Sequence, residues 1–182
     1  MHRARAAAGT AVFLGLVPGT VAGLVPWWLT DWRSGPTYPL PVRVVGIVLA
    51  AAGATVLLHA FTRFVIEGLG TPAPIAPTER LVVGGLYRYV RNPMYLAVLA
   101  VITGQALLLS RPVLLAYAAA VAATVAAFVH RYEEPTLARH YGTAYQQYRQ
   151  TVPAWCPRLR RRPQPPRAAT RDNDQRFDQT DP

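Results

Sequence analysis

Four apolar runs, Ala6 to Leu29, Val42 to Ile66, Met94 to Leu109 and Pro112 to Val129, constrain this chain more than any other feature. A helix crosses the hydrocarbon core of a bilayer with roughly 20 apolar residues, and about 17 to 25 is the working range. The first two runs exceed that need, the fourth meets it, and the third sits at its lower edge. With 52% hydrophobic and only 15% charged residues, clustered rather than scattered, the chain departs from an ordinary soluble fold. The fold class expected is an all-α integral membrane bundle of about four transmembrane helices (6–29, 42–66, 94–109 and 112–130). A fifth helix, over about 135–150, is expected at the cytoplasmic surface. Residues 1–158 then form one folded unit, and 159–182 an Arg/Pro-rich, then polar, disordered tail.

The first run also invites comparison with a signal peptide. It is longer than the usual apolar stretch of one, lacks a clean A-x-A site, and ends in Trp27, Trp28 and Trp32, which suit an interfacial aromatic belt. A spanning helix is therefore the preferred reading. Pro18 and Pro26 are expected to kink it.

The net charge of +10 owes nothing to lysine, because the sequence contains none. Fifteen arginines fall at the termini or between the second and third runs, three (Arg33, Arg43, Arg111) fall on the opposite side, and Arg63 lies inside a run. By the positive-inside rule both termini face the cytoplasm, in a cell inner or plasma membrane. Charges that flank spans are explained by topology and anionic headgroups, so no nucleic-acid partner is expected. The single cysteine, Cys156, excludes an intramolecular disulfide and offers no metal cluster.

Between the apolar runs the polar residues are few, and each needs a reason. Residues 84–96, "GGLYRYVRNPMYL", gather three tyrosines, two arginines, an asparagine and a proline ahead of the third run. Pro93 suits the first turn of a helix. Ser110, Arg111 and Pro112 turn the third helix into the fourth, so the two form a hairpin. Glu133 and Glu134 then stand at the cytoplasmic end of the fourth helix, one turn from His130. Adjacent helical residues point about 100 degrees apart, so the pair cannot act as a single two-pronged clamp. Either glutamate also suits the start of a following helix, which Pro135 is expected to open. Arg88, Arg91 and Asn92 face this pair across one membrane surface, a setting for a ligand that carries both signs of charge. Tyr87, Tyr89 and Tyr95 supply ring faces and hydroxyls, although an interfacial belt accounts for at least one of them.

Other ionisable groups lie in the second run. His59, Arg63 and Glu67 are spaced four apart and share a helical face. Snorkelling to the surface explains Arg63 and Glu67 as readily as a polar cavity does, whereas His59 lies deeper and is expected to line such a cavity. In the helix after Pro135, Leu137, Tyr141, Tyr145, Tyr148 and Val152 form one stripe.

"GLYRYVRNPMYL" followed one hairpin later by "YEEPTLARHYGTAYQQYRQTVP" closely resembles the isoprenylcysteine carboxyl methyltransferase and phospholipid methyltransferase family of membrane enzymes. The resemblance covers roughly Gly68 to Pro157, with "EGLGTPAP" similar to a bacterial subgroup. It implies S-adenosyl-L-methionine as methyl donor, held at the cytoplasmic side. Arg91, Asn92, Pro93 and Tyr95 match the family's R-[HN]-P-x-Y loop, and Glu133 and Glu134 its acidic pair. With Tyr87 and Arg88 these are the expected cofactor-binding residues. Gly142, Tyr145 and Tyr148 match its terminal G-x-x-Y-x-x-Y pattern; His59, Arg63, Tyr145 and Tyr148 are the expected acceptor-side residues. Many members carry histidine where this chain has Asn92, and asparagine cannot titrate, so no acid–base role falls there.

Methyl transfer from a sulfonium needs alignment and exclusion of water more than acid–base work, and no metal. A carboxylate acceptor needs no base; an ammonium acceptor must first lose a proton, and His130, Glu133 and Glu134 are the candidates. Arg149 and Arg88 are candidate clamps for an anionic acceptor, Arg149 and His130 being the residues nearest a catalytic role. The acceptor class is lipophilic, isoprenylcysteine-like or phospholipid-like, with membrane lipid as the second partner. A non-catalytic lipid- or partner-binding membrane protein is the alternative, and a membrane reductase would need a phosphate-cradling glycine pattern that is not seen.

Overall fold

The computed structural model describes residues 16–67, 81 and 83–158. The expected span residues 6–15, the "GLGTPAP" connection, the tail from 159 and the Arg63 and Glu67 side chains lie outside the described residues. Within them the chain is helical, with no strand. Helix α1 (Leu16–Thr30) is followed by a loop and α2 (Leu40–Glu67). A 3-10 turn (Gly85–Arg88) leads into α3 (Pro93–Leu108), and α4 (Pro112–Phe128) runs back antiparallel to it. Helix α4 continues through a π turn (Val129–Glu133) into α5 (Glu134–Tyr141), and α6 (Thr143–Thr151) closes the described helices.

Among the described residues two helices, over Leu40–Thr62 and Pro112–Tyr141, are long and apolar enough to cross a membrane, while the described parts of the other two expected spans, Leu16–Thr30 and Pro93–Leu108, are shorter. Only 22% and 17% of the two long windows is buried, so their apolar residues face outward, as Val44, Val45, Ile47, Val48 and Leu58 do. A soluble core helix would hide that surface; a bilayer accepts it.

Backbones meet where the small residues fall. A Cβ on Gly46 would stand 2.8 Å from the Gly104 carbonyl oxygen, one on Gly53 2.7 Å from that of Ala97, and one on Gly104 2.5 Å from the Ala50 nitrogen. Helices α2 and α3 therefore pack antiparallel with their main chains in contact, which side chains at those positions would prevent. Toward the end where α3 begins, Leu57, Phe61 and Ala97 form a buried cluster with Val56, Met94 and Val98 around it.

At the other end the α3–α4 turn is fixed by the loop after α1. Ser110, buried and with φ 53°, accepts a 2.9 Å hydrogen bond at Oγ from the Tyr38 amide, and the Gly35 amide donates to the Leu109 carbonyl at 2.8 Å. Helix α1 packs beside this hairpin through a π turn at Thr20–Leu24. There the Gln105 side-chain amide donates to the Ala22 carbonyl at 2.7 Å and the Tyr117 hydroxyl to that of Val21 at 2.9 Å. Carbonyls displaced from the regular ladder thus find donors on α3 and α4, as apolar surroundings require.

A correction concerns Pro135. The expected break there is absent: the helix passes through the π turn, in which the Glu134 amide donates to the Val129 carbonyl, and Pro135 sits in the first turn of α5. The wider turn shifts the ladder register just ahead of a residue that has no amide hydrogen to give. The break falls instead at Gly142, whose φ of 53° and ψ of −126° suit glycine alone. One helix over 135–150 is therefore two, with a corner between.

Candidate active site at the helix ends

The 3-10 turn, the first turn of α3 and the π turn after α4 converge, and their polar side chains pair across the gap. Arg91 Nη1 donates to Glu134 Oε1 at 2.6 Å and to the Tyr145 hydroxyl at 3.1 Å. The Arg91 and Glu134 side chains are only 11% and 12% exposed, so this ion pair lies largely out of water. Arg91 Nε is buried without a hydrogen-bond partner. Beside it the Tyr95 hydroxyl donates to Glu133 Oε2 at 3.0 Å. The two glutamates thus diverge to different partners, as adjacent positions on a helix must.

Three tyrosines frame this pair. Burial pushes the Tyr145 hydroxyl above the usual phenol range, with the Glu134 carboxylate adding to the effect. It raises Tyr148 in the same way, against the pull of Arg91, and raises Tyr87 with help from Tyr148 and Glu133. All three stay protonated at neutral pH, so none serves as a base, and the Tyr145 hydroxyl accepts from Arg91. The Tyr148 hydroxyl uses its proton on the Tyr87 carbonyl at 2.7 Å.

The remaining expected residues are placed unevenly. Asn92 is buried, and its side-chain amide donates to the Ala154 carbonyl at 3.2 Å. Pro93 is buried in the first turn of α3, as its fixed φ allows. Arg149 Nη2 stands 3.7 Å from Glu134 Oε2, but its side chain is 56% exposed and solvent screens the attraction. Arg88 is exposed, donates through Nε to its own turn's Gly85 carbonyl at 3.0 Å and lies over the Tyr89 ring. His130 is exposed, and so is His59, since the buried stripe of α2 runs through Gly53, Leu57, Ala60 and Phe61. Neither histidine joins the described cluster.

One further segment completes the geometry. After α6 the chain runs back along the loop: the Arg91 amide donates to the Pro153 carbonyl at 2.9 Å, and the Arg158 amide to the Tyr89 carbonyl at 3.0 Å. The sequence signal is "VPAWCP", where two prolines four apart oppose further helix and leave an irregular, bent segment.

A family model for phospholipid methyltransferases matches residues 42–144, more than half of the chain, and takes in both the loop and the acidic pair. The chain belongs to the phospholipid methyltransferase family. Comparisons with curated proteins and with solved structures return no match. Membership points to methyl transfer onto a lipid-like substrate, and with the two outward-facing apolar helices it points to membrane association. In this phospholipid methyltransferase family member, Tyr145, Tyr148 and residues 153–158 lie beyond the matched stretch, yet they hydrogen-bond to its loop.

Proposed function

We propose that this protein transfers a methyl group from S-adenosyl-L-methionine to a lipophilic, membrane-embedded acceptor at the cytoplasmic end of a four-span bundle. The single observation that carries the reading is the buried Arg91–Glu134 pair, with Arg91 Nε left over, beside the Tyr95–Glu133 pair. Such a donor set fits a zwitterionic amino-acid group: an unpaired guanidinium N–H for a carboxylate and glutamate oxygens for an ammonium. When bound, the sulfonium donor supplies a methyl group that is already electrophilic.

What the chain itself contributes is placement. Arg91 is held by Glu134 and Tyr145 before any ligand arrives, so the ordering cost of binding falls. Glu133, half-buried and held by Tyr95, is the nearest carboxylate for taking a proton from an amine acceptor; a carboxylate acceptor asks nothing of it. Helix length supports the membrane depth. From Pro112, roughly 20 residues at 1.5 Å each cross a core of about 30 Å, which brings Glu133 and Glu134 to its edge. Arg88, Arg131, Arg139, Arg149 and Arg158, all exposed, then face the headgroup side.

Purified protein in detergent, incubated with methyl-labelled donor and extracted membrane lipid, tests the reading. Label is expected in the lipid phase. A folded protein that transfers none to any lipid fraction contradicts it.

A further inference from the structure

We infer that residues 153–158 act as a clasp that holds the 87–92 loop in the position from which Arg91 reaches Glu134, and that Asn92 is its positioning residue. The inference rests on the proposed role of that loop as the donor site. Three hydrogen bonds in a row tie the two segments: Arg91 amide to Pro153 carbonyl at 2.9 Å, Asn92 Nδ2 to Ala154 carbonyl at 3.2 Å, and Arg158 amide to Tyr89 carbonyl at 3.0 Å. The Tyr148 hydroxyl adds a fourth tie, to the Tyr87 carbonyl at 2.7 Å. Val90 in the loop and Val152 just before the clasp are both buried.

The loop's own turn bonds run from the Tyr87 amide to the Gly84 carbonyl and from the Tyr89 and Val90 amides to the Leu86 carbonyl, within one short 3-10 turn, a geometry that seldom persists alone. Arg91 is thus gripped twice, its main chain by the clasp and its side chain by Glu134 and Tyr145. Asn92 spends its side-chain amide on Ala154, and with 7% exposure it is turned toward the clasp.

Two changes in the full-length chain isolate the clasp. Asn92→Asp keeps the shape and replaces the donor to Ala154 with an acceptor; Arg158→Pro removes the amide that donates to Tyr89, and Arg158→Ala controls for loss of the side chain. Hydrogen exchange of peptides covering 87–92, followed in detergent without any ligand, should speed up by about tenfold or more in each, as loss of a partly buried hydrogen bond implies. Arg158→Ala, which keeps the amide, should exchange as slowly as the parent. If Asn92→Asp and Arg158→Pro both leave exchange in the loop unchanged, the clasp is wrong. Donor affinity measured on the same proteins tests the functional reading separately: slow parent exchange lost in the variants, with no donor binding by any of them, keeps the clasp and rejects the donor site.

Discussion

Arg91 pairs with both Glu134 and Tyr145, and these partners set what substitution there costs. Glu134→Gln keeps a hydrogen-bond acceptor but removes the charge opposite a guanidinium that is 11% exposed. A charge-assisted bond of this kind is worth about 1.5–3 kcal/mol. Thermal unfolding in detergent should therefore show Glu134→Gln less stable by that amount, with donor affinity reduced at least tenfold. Tyr95→Phe removes only the bond to Glu133; stability should fall by about 1–2 kcal/mol, and methyl transfer should fall more than donor affinity if Glu133 serves the acceptor. At this scale much was legible. The loop's Arg91 and Tyr95 and both glutamates meet as their clustering implies, because ionisable groups at an apolar boundary have few partners besides one another. Asn92, His59 and His130 show the limit: their chemistry suits a site, but which way a side chain faces depends on the phase of a helix or the path of a later segment.

Irregular turns do as much as the regular helices to place these side chains. The π turn at Val129–Glu133 carries α4 past Pro135 and presents both glutamates, and the corner at Gly142 swings Tyr145 back onto Arg91. Gly142→Ala has open space for its methyl but a backbone that an L residue resists, at a cost of about 1–2 kcal/mol. Circular dichroism should show the helical content kept while unfolding shifts to lower temperature. Gly104→Leu is the harsher case, since backbone atoms of α2 stand 2.5–2.7 Å from the first added carbon. Helices α2 and α3 must separate, and a loss of about 3 kcal/mol or more, or failure to accumulate in the membrane, is expected. The helices themselves could be read from apolar run length and the hairpin from Ser110–Pro112. The π turns could not, because a one-residue change of ladder register leaves no mark in hydrophobic periodicity.

Across the whole molecule, arginine placement predicts the orientation, and the sequence supplies a probe to test it. Cys156 is the single cysteine, is exposed, and lies in the clasp on the arginine-rich side. A membrane-impermeant maleimide should label it in inside-out vesicles and not in intact cells; the reverse pattern would invert the topology. An all-helical membrane class was evident from the apolar runs, whereas the number of full crossings was not, because Pro93–Leu108 is short for a span and gains its place by packing main chain to main chain on α2. The account depends most on the Arg91–Glu134 and Tyr95–Glu133 pairs forming one donor site. Equilibrium binding of labelled S-adenosyl-L-methionine to the purified, folded protein tests this most directly: saturable binding, weakened at least tenfold by Glu134→Gln, is predicted, and either no binding by the parent protein or equal binding by the variant would contradict it.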